Sequence, residues 1–116
     1  MVSSVRRTGL EGRLLDLLEY RVVLGVVVTT PDGLLVASVA VDIGDAELIA
    51  ATTAAREERE SQDPEYWEAS SQFGSLRVVN GNDIRLITLT EPGITEAEVR
   101  PLMLEHLSTL EEAIQI

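Results

Sequence analysis

Residues 21–29, RVVLGVVVT, are β-branched and almost continuously apolar. A strand with one wet face alternates, so an unbroken apolar run fits a strand covered on both faces. Thr30-Pro31-Asp32-Gly33 then reverses the chain. Pro presets φ at the second position, Asp can bond its own backbone, and Gly relieves a positive φ. Leu34–Val41, LLVASVAV, is the return strand. A hairpin buried in this way needs a layer on each side of its sheet.

The rest of the chain supplies those layers. Thr8 and Glu11 have capping-box spacing, and Leu10, Leu14, Leu17 and Leu18 recur on one helical face. The spacing predicts a helix over residues 9–20. It is too short to stand alone and must lie on something. Asp42 and Asp45 can each cap the next helix, AELIAATTAAREERE, which Ser61-Gln62-Asp63-Pro64 stops. Residues 65–73, EYWEASSQF, partly alternate and are predicted as a strand. Tyr66 and Glu68 lie on one side, Trp67 and Ala69 on the other. Gly74-Ser75 is predicted as a turn and Leu76–Val79 as a strand. Asn80-Gly81-Asn82-Asp83 carries the Asn-Gly pair favoured in tight hairpins. Residues 84–90, IRLITLT, are predicted as a strand with Ile84, Leu86 and Thr88 on one face and Arg85, Ile87 and Leu89 on the other. Thr95 and Glu98 form a second capping box. Val99, Leu102, Met103, His106, Leu107, Leu110 and Ile114 follow at helical spacing. Pro101 sits early in that stripe, so the helix should kink there or start at Glu98–Arg100.

The expected order is α-β-β-α-β-β-β-α, an α+β fold. Its one mostly antiparallel five-stranded sheet carries the first and third helices on one face and the second on the other. With 116 residues, no linker and no internal repeat, the expectation is one domain over 1–116 with an ordered core of about 8–114.

Composition narrows the function. The net charge is -11, from 20 acidic and 9 basic residues, which argues against nucleic acid and anionic membrane as partners. Every basic residue is Arg. Without Lys there is no phosphate-loop lysine, Schiff base or lysine general base. Without Cys there is no thiol nucleophile, disulfide or cysteine-held metal. The only His is His106, which reads as a boundary residue of its helix. Turn chemistry explains the polar clusters at residues 29–33 and 80–83 without a metal. The chain is therefore read as not an enzyme, with no catalytic, cofactor or metal residues. No signal peptide or membrane span is legible, the longest apolar run being Val22–Val28, so the expected location is cytoplasmic. Abundant Arg, Val and Ala with no Lys hint at a GC-rich bacterial or archaeal source, or a heat-adapted one.

The second helix is the informative element. Leu48 and Ile49 are the only large aliphatics between Ala46 and Ala55. Ala50, Thr53, Ala54 and Glu57 form an i, i+3, i+4, i+7 row, with Ala51 and Ala55 beside it. Small side chains let another backbone approach closely. That backbone belongs either to the same chain or to a second copy across a twofold axis. Arg56, Glu57, Glu58, Arg59 and Glu60 read as a solvated helix end.

The hairpin VLGVVVTTPDGLLVAS (residues 23–38), the helix AELIAATTAA (46–55) and the strand IRLITLT (84–90) together resemble the roadblock family, the dynein light chain and bacterial gliding-protein type. The resemblance spans about residues 8–114. It implies the element order read above. It implies a homodimer through the second helix (45–60) and the strand after it (65–73), with Ala46, Ile49, Ala50, Thr53, Ala54, Glu57, Tyr66, Trp67 and Ala69 at the contact. It further implies a regulator of a small Ras-like GTPase without chemistry of its own, acting as a GTPase-activating partner or a scaffold. Arg56 and Arg59 become charges that such a GTPase would meet, although no arginine finger is assigned to them. The alternative expectation is a small-ligand sensor of profilin-like or longin-like layout. It requires a pocket between the sheet and the first and third helices, where Leu14, Leu18, Leu102, Met103 and Leu110 are able to fill the space.

Overall fold

The computed structural model describes residues 10–60 and 65–114. Its elements are α1 (Leu10–Leu18), β1 (Val23–Thr29), β2 (Leu35–Val39), α2 (Ile43–Glu60), β3 (Tyr66–Ser71), β4 (Gly74–Asn80), β5 (Arg85–Thr90) and α3 (Glu96–Ile114). The five strands form one antiparallel sheet in the order β2-β1-β5-β4-β3. The expected element order and fold class both hold. Central β1 and β5 are buried along almost their whole length, which accounts for the almost continuously apolar sequence of β1.

Each face of the sheet has its own core. On one face Leu14 and Leu17 of α1 and Val99, Met103, Leu107 and Leu110 of α3 meet Val26, Val28, Val79 and Leu86. On the other, Ala46 and Ile49 of α2 meet Val27, Val78, Ile87 and Leu89. The predicted facing of β5 is therefore right. The space that a sensor pocket would need under α1 and α3 is filled by fully buried Leu14, Leu17, Met103 and Leu110.

Local chemistry sets the boundaries. In the β1–β2 turn, Gly33 N–H donates to the Thr30 carbonyl at 3.0 Å, Leu34 N–H donates to Thr30 Oγ1 at 3.0 Å, and Gly33 takes φ 97°. Ala40 at φ 59° ends β2 before Val41. Asp42, and not Asp45, caps α2, its carboxylate accepting from Gly44 N–H at 3.2 Å. Thr95 and Glu98 cap α3, Glu98 Oε1 accepting from Thr95 N–H at 3.3 Å. The capping box proposed at Thr8 lies outside the described residues.

Of the two alternatives for α3 the later start at Glu98–Arg100 is excluded, and two turn positions need correction. The helix α3 starts at Glu96, with Pro101 inside it. Pro101 is exposed, so the carbonyl it leaves without a donor lies on the wet side. The β3–β4 turn is at Gln72-Phe73, not Gly74-Ser75. Gly74 already pairs with Ser71, and its φ of 117° suits the first residue after the reversal. Asn80-Gly81 is not the centre of the next turn either. Asn80 still pairs with Arg85, and the tip is Asn82-Asp83, whose N–H groups both donate to Glu111 Oε2 of α3, at 2.7 and 3.0 Å.

Candidate functional site

Small residues on α2 divide into two faces. Ala46, Ile49, Ala50 and Thr53 are buried against the sheet of their own chain. Beside them, a Cβ on Gly33 would lie 2.8 Å from Ala54 Cβ and 3.3 Å from the Ala50 carbonyl oxygen. The close approach that Ala50 and Ala54 permit is thus that of the chain's own β1–β2 turn. The opposite face presents Leu48, which is 50% exposed, with Ala51, Thr52 and Ala55. Of the expected contact residues, four therefore face inward, while Leu48, Ala51, Thr52 and Ala55 were not singled out for a partner. The reason is helical phase: composition alone does not distinguish two small-residue faces of one helix.

The strand β3 forms one edge of the sheet. Trp67 packs on the α2 side, while Tyr66 is buried on the α3 side. Trp67 Nε1 donates to Glu57 Oε2, and the Arg56 guanidinium lies 5.5 Å from the centre of the Trp67 ring. The last turns of α2 are thus tied to the edge strand, and Glu57, Trp67 and Arg56 come together as one cluster. Ala69 lies farther along β3 and is half-buried. The side chain of Arg59 lies outside the described residues. His106 is half-buried at the margin of its helix stripe, edge-on to Tyr20 at 6.0 Å between ring centres.

Behind β3, Arg77 is buried in an apolar strand. It donates from Nη1 to Glu68 Oε2 at 2.6 Å, from Nε to Thr90 Oγ1 at 3.2 Å and from Nη2 to the Ile94 carbonyl. Tyr66 Oη donates to the same Glu68 oxygen at 2.6 Å. Burial, and then the bond to Glu68, push the Tyr66 hydroxyl up to about 12. Burial alone would lower the Arg77 guanidinium, but its bond to Tyr66 and the Glu68 charge carry the net shift upward. Arg77 ties β3, β4, β5 and the start of α3 together, which is a structural role.

Arg85 is different. It opens β5 on the α2 face and is 4% exposed. Its Nε donates to Asn80 Oδ1 at 2.8 Å and lies 4.0 Å from Glu57 Oε2. Its Nη1 is shielded from solvent and has no hydrogen-bond partner. Burial lowers its pKa, against the pull of Glu57. An unpaired buried donor on a charged group costs about 1–3 kcal/mol or more. Arg85 lies at a cleft of about 470 Å³ formed by Pro31, Asp32 and Gly33 of the turn, Ala51, Ala54, Ala55 and Glu57 of α2, and Arg85 itself. The sequence held a signal for it, an Arg alternating with Ile87 and Leu89 on one face of an apolar strand. Among the described residues, no group of three or more His, Asp or Glu side chains is placed to hold a metal, and no helix is long and apolar enough to cross a membrane.

No protein-family model matches the chain, and no curated protein matches it by sequence. Solved structures do match. A Roadblock/LC7 domain from Streptomyces avermitilis superposes with a TM-score of 0.72 at 24% identity, over 86% of this chain and 96% of that one. The gliding protein MglB of Thermus thermophilus superposes with a TM-score of 0.63 at 15% identity, over 90% and 91%. MglB in a tetrameric arrangement gives 0.70 at 12% identity, over 90% and 87%. At these identities the likeness is one of fold, and the fold of this chain is that of the Roadblock/LC7 domains.

Proposed function

We propose that the protein is a non-catalytic, cytoplasmic regulator or scaffold that pairs with a second copy of itself and binds a small Ras-like GTPase, biasing its switch state. The observation that carries this reading is the surface formed by edge strand β3 and the outer face of α2. Both lie on one side of the molecule, joined through Trp67, Glu57 and Arg56. An exposed edge offers a row of backbone donors and acceptors that a twin edge satisfies. The same patch meets itself across a twofold axis, with Ala51 and Ala55 small enough around that axis for two helices to approach and the exposed Leu48 available to be buried there. The neighbour in a tetrameric arrangement supports assembly of this fold beyond one chain. The link to GTPases comes from the roadblock resemblance of the hairpin, helix and strand motifs.

The mechanism is population shift. A partner that holds one switch conformation more tightly moves the GTPase toward it by its differential affinity and no further. Arg56 is engaged over Trp67, so the reading assigns it no direct role in hydrolysis.

Light scattering on wild type, Leu48→Arg and Ala55→Arg tests the pairing. The expected result is a wild-type dimer and monomeric variants with unchanged circular dichroism. A wild-type monomer at tens of micromolar refutes it. Purified Ras-like GTPases from the same genome, loaded with GDP or a non-hydrolysable GTP analogue, test the partner. Binding that depends on the nucleotide is expected, and binding indifferent to it removes the regulatory reading.

A further inference from the structure

We infer that the cleft between the β1–β2 turn and α2 is a binding site for a small aliphatic monocarboxylate, received by the Arg85 guanidinium. Four observations converge. Arg85 is 4% exposed and carries an Nη1 with no partner. A native protein leaves few buried polar groups unpaired, and a missing ligand is one of the standard reasons. The cleft at which it lies holds about 470 Å³, the scale of small-molecule sites. Its lining includes the methyl groups of Ala51, Ala54 and Ala55, with Glu57 on the same helix and Pro31 on the turn. The cleft shares Ala51, Ala55 and Glu57 with the surface proposed above for pairing, so each titration is accompanied by a measurement of oligomeric state, which separates failure of this inference from failure of the pairing.

The chemistry selects the ligand. A guanidinium presents a planar fork that matches a carboxylate. Its Nε is already taken by Asn80, so the Nη end remains for the ligand. The cleft also contains Glu57 and Asp32. Glu57 faces Arg85 at 4.0 Å and already offsets part of its charge, and Asp32 lies at the same cleft, so a ligand with two negative charges is repelled more strongly than one with a single charge. That disfavours phosphate and dicarboxylates. The alanine methyls take a short hydrocarbon tail.

The protein has a single tryptophan, Trp67, and Trp67 Nε1 donates to the Glu57 carboxylate that faces Arg85. Its fluorescence reports on the cleft. Titrating the full chain with butyrate and hexanoate should give a saturable change in the millimolar range. Hexanamide, succinate and inorganic phosphate should give none. Arg85→Met keeps the apolar stem and removes the charge, at a cost in stability because Glu57 loses the cation it faces. Ala51→Leu narrows the mouth and leaves the charge in place. Each should weaken binding by about tenfold or more, since each removes one half of the recognition. Should Arg85→Met fail to fold, Ala51→Leu carries the test alone. No saturation by either acid, equal binding of the amide, or wild-type binding by the variants overturns the inference. A capped alanine peptide with one central Glu separates the sources of the carboxylate. If it binds more tightly than hexanoate, the site belongs to a partner's side chain and the small-acid assignment falls.

Discussion

Gly33→Ala tests the contact that explains the small residues of α2. Gly33 has φ 97°, and an L-residue in the left-handed region is strained by roughly 1–2 kcal/mol. The added Cβ would also sit 2.8 Å from Ala54 Cβ and 3.3 Å from the Ala50 carbonyl oxygen. Two carbons rest at about 3.5–4.0 Å, so the turn and the helix must separate by about an ångström. Neither neighbour is the end of a flexible chain that could swing aside. Overpacking of this kind costs about 1–3 kcal/mol. Together the two effects give about 2–5 kcal/mol, against a total stability of about 5–15 kcal/mol for a typical domain. At this chain length that lowers the melting temperature by roughly 8–20 °C. Ala54→Gly in the same background removes the opposing methyl and relieves the steric part alone. By itself it costs about 1 kcal/mol as a glycine in a helix. The double variant should therefore be less destabilised than the sum of the singles, by about 1–3 kcal/mol. Urea unfolding followed by circular dichroism measures all four proteins. It is done at one protein concentration, since a dimer's stability depends on it. Additive effects, or a Gly33→Ala change below about 0.5 kcal/mol, would refute the claim that α2 is small for this turn.

Two further perturbations read other parts of the framework. The Tyr66 hydroxyl is raised from 10.0 to about 12, so the folded state holds its proton more tightly than the unfolded state does. The stability contribution is intact below pH 10 and is lost as the pH rises from 10 to about 12, on the order of 2 kcal/mol. Urea midpoints should fall over that window in wild type, and this component should vanish in Tyr66→Phe; equal slopes in both would exclude it. Glu111→Ala removes the carboxylate that accepts from Asn82 and Asp83 N–H. Its site is exposed, so the cost should be about 1 kcal/mol. Amide exchange at Asn82 and Asp83 should quicken while the centres of β4 and β5 keep their protection, and unchanged exchange would show that the cap does not order the turn.

Much of this architecture was legible because each strand carries one dominant pattern. The unbroken run of β1 marked a centre strand, and the alternation Ile84, Leu86 against Ile87, Leu89 assigned the two faces of β5. The leucine stripe of α1 and the apolar stripe of α3 identified the helices that share a face. Turn positions were harder. Three glycine-bearing segments lie between residues 74 and 93, and a glycine signals permission for a reversal without fixing its register. Gly74 proved to be the first residue of β4, and the register of the Asn80-Gly81 turn depended on a carboxylate 29 residues farther along the chain. A local signal does not contain that contact.

The second helix shows the same limit at the level of function. A stripe of small residues says that something comes close, and the helix has two such faces. Ala50 and Ala54 are small because Gly33 presses on them; had they been leucines, the β1–β2 turn would have no seat. Ala51 and Ala55 are exposed at the cleft beside that turn, where no contact among the described residues requires them to be small. Their smallness is therefore unexplained by the fold of one chain, whereas that of Ala50 and Ala54 is fully explained by it. This asymmetry is why substitutions meant to break a partner contact belong at Leu48 or Ala55. A charge at Ala54 would dislodge the chain's own turn, and loss of pairing in that variant would report unfolding as readily as a lost interface.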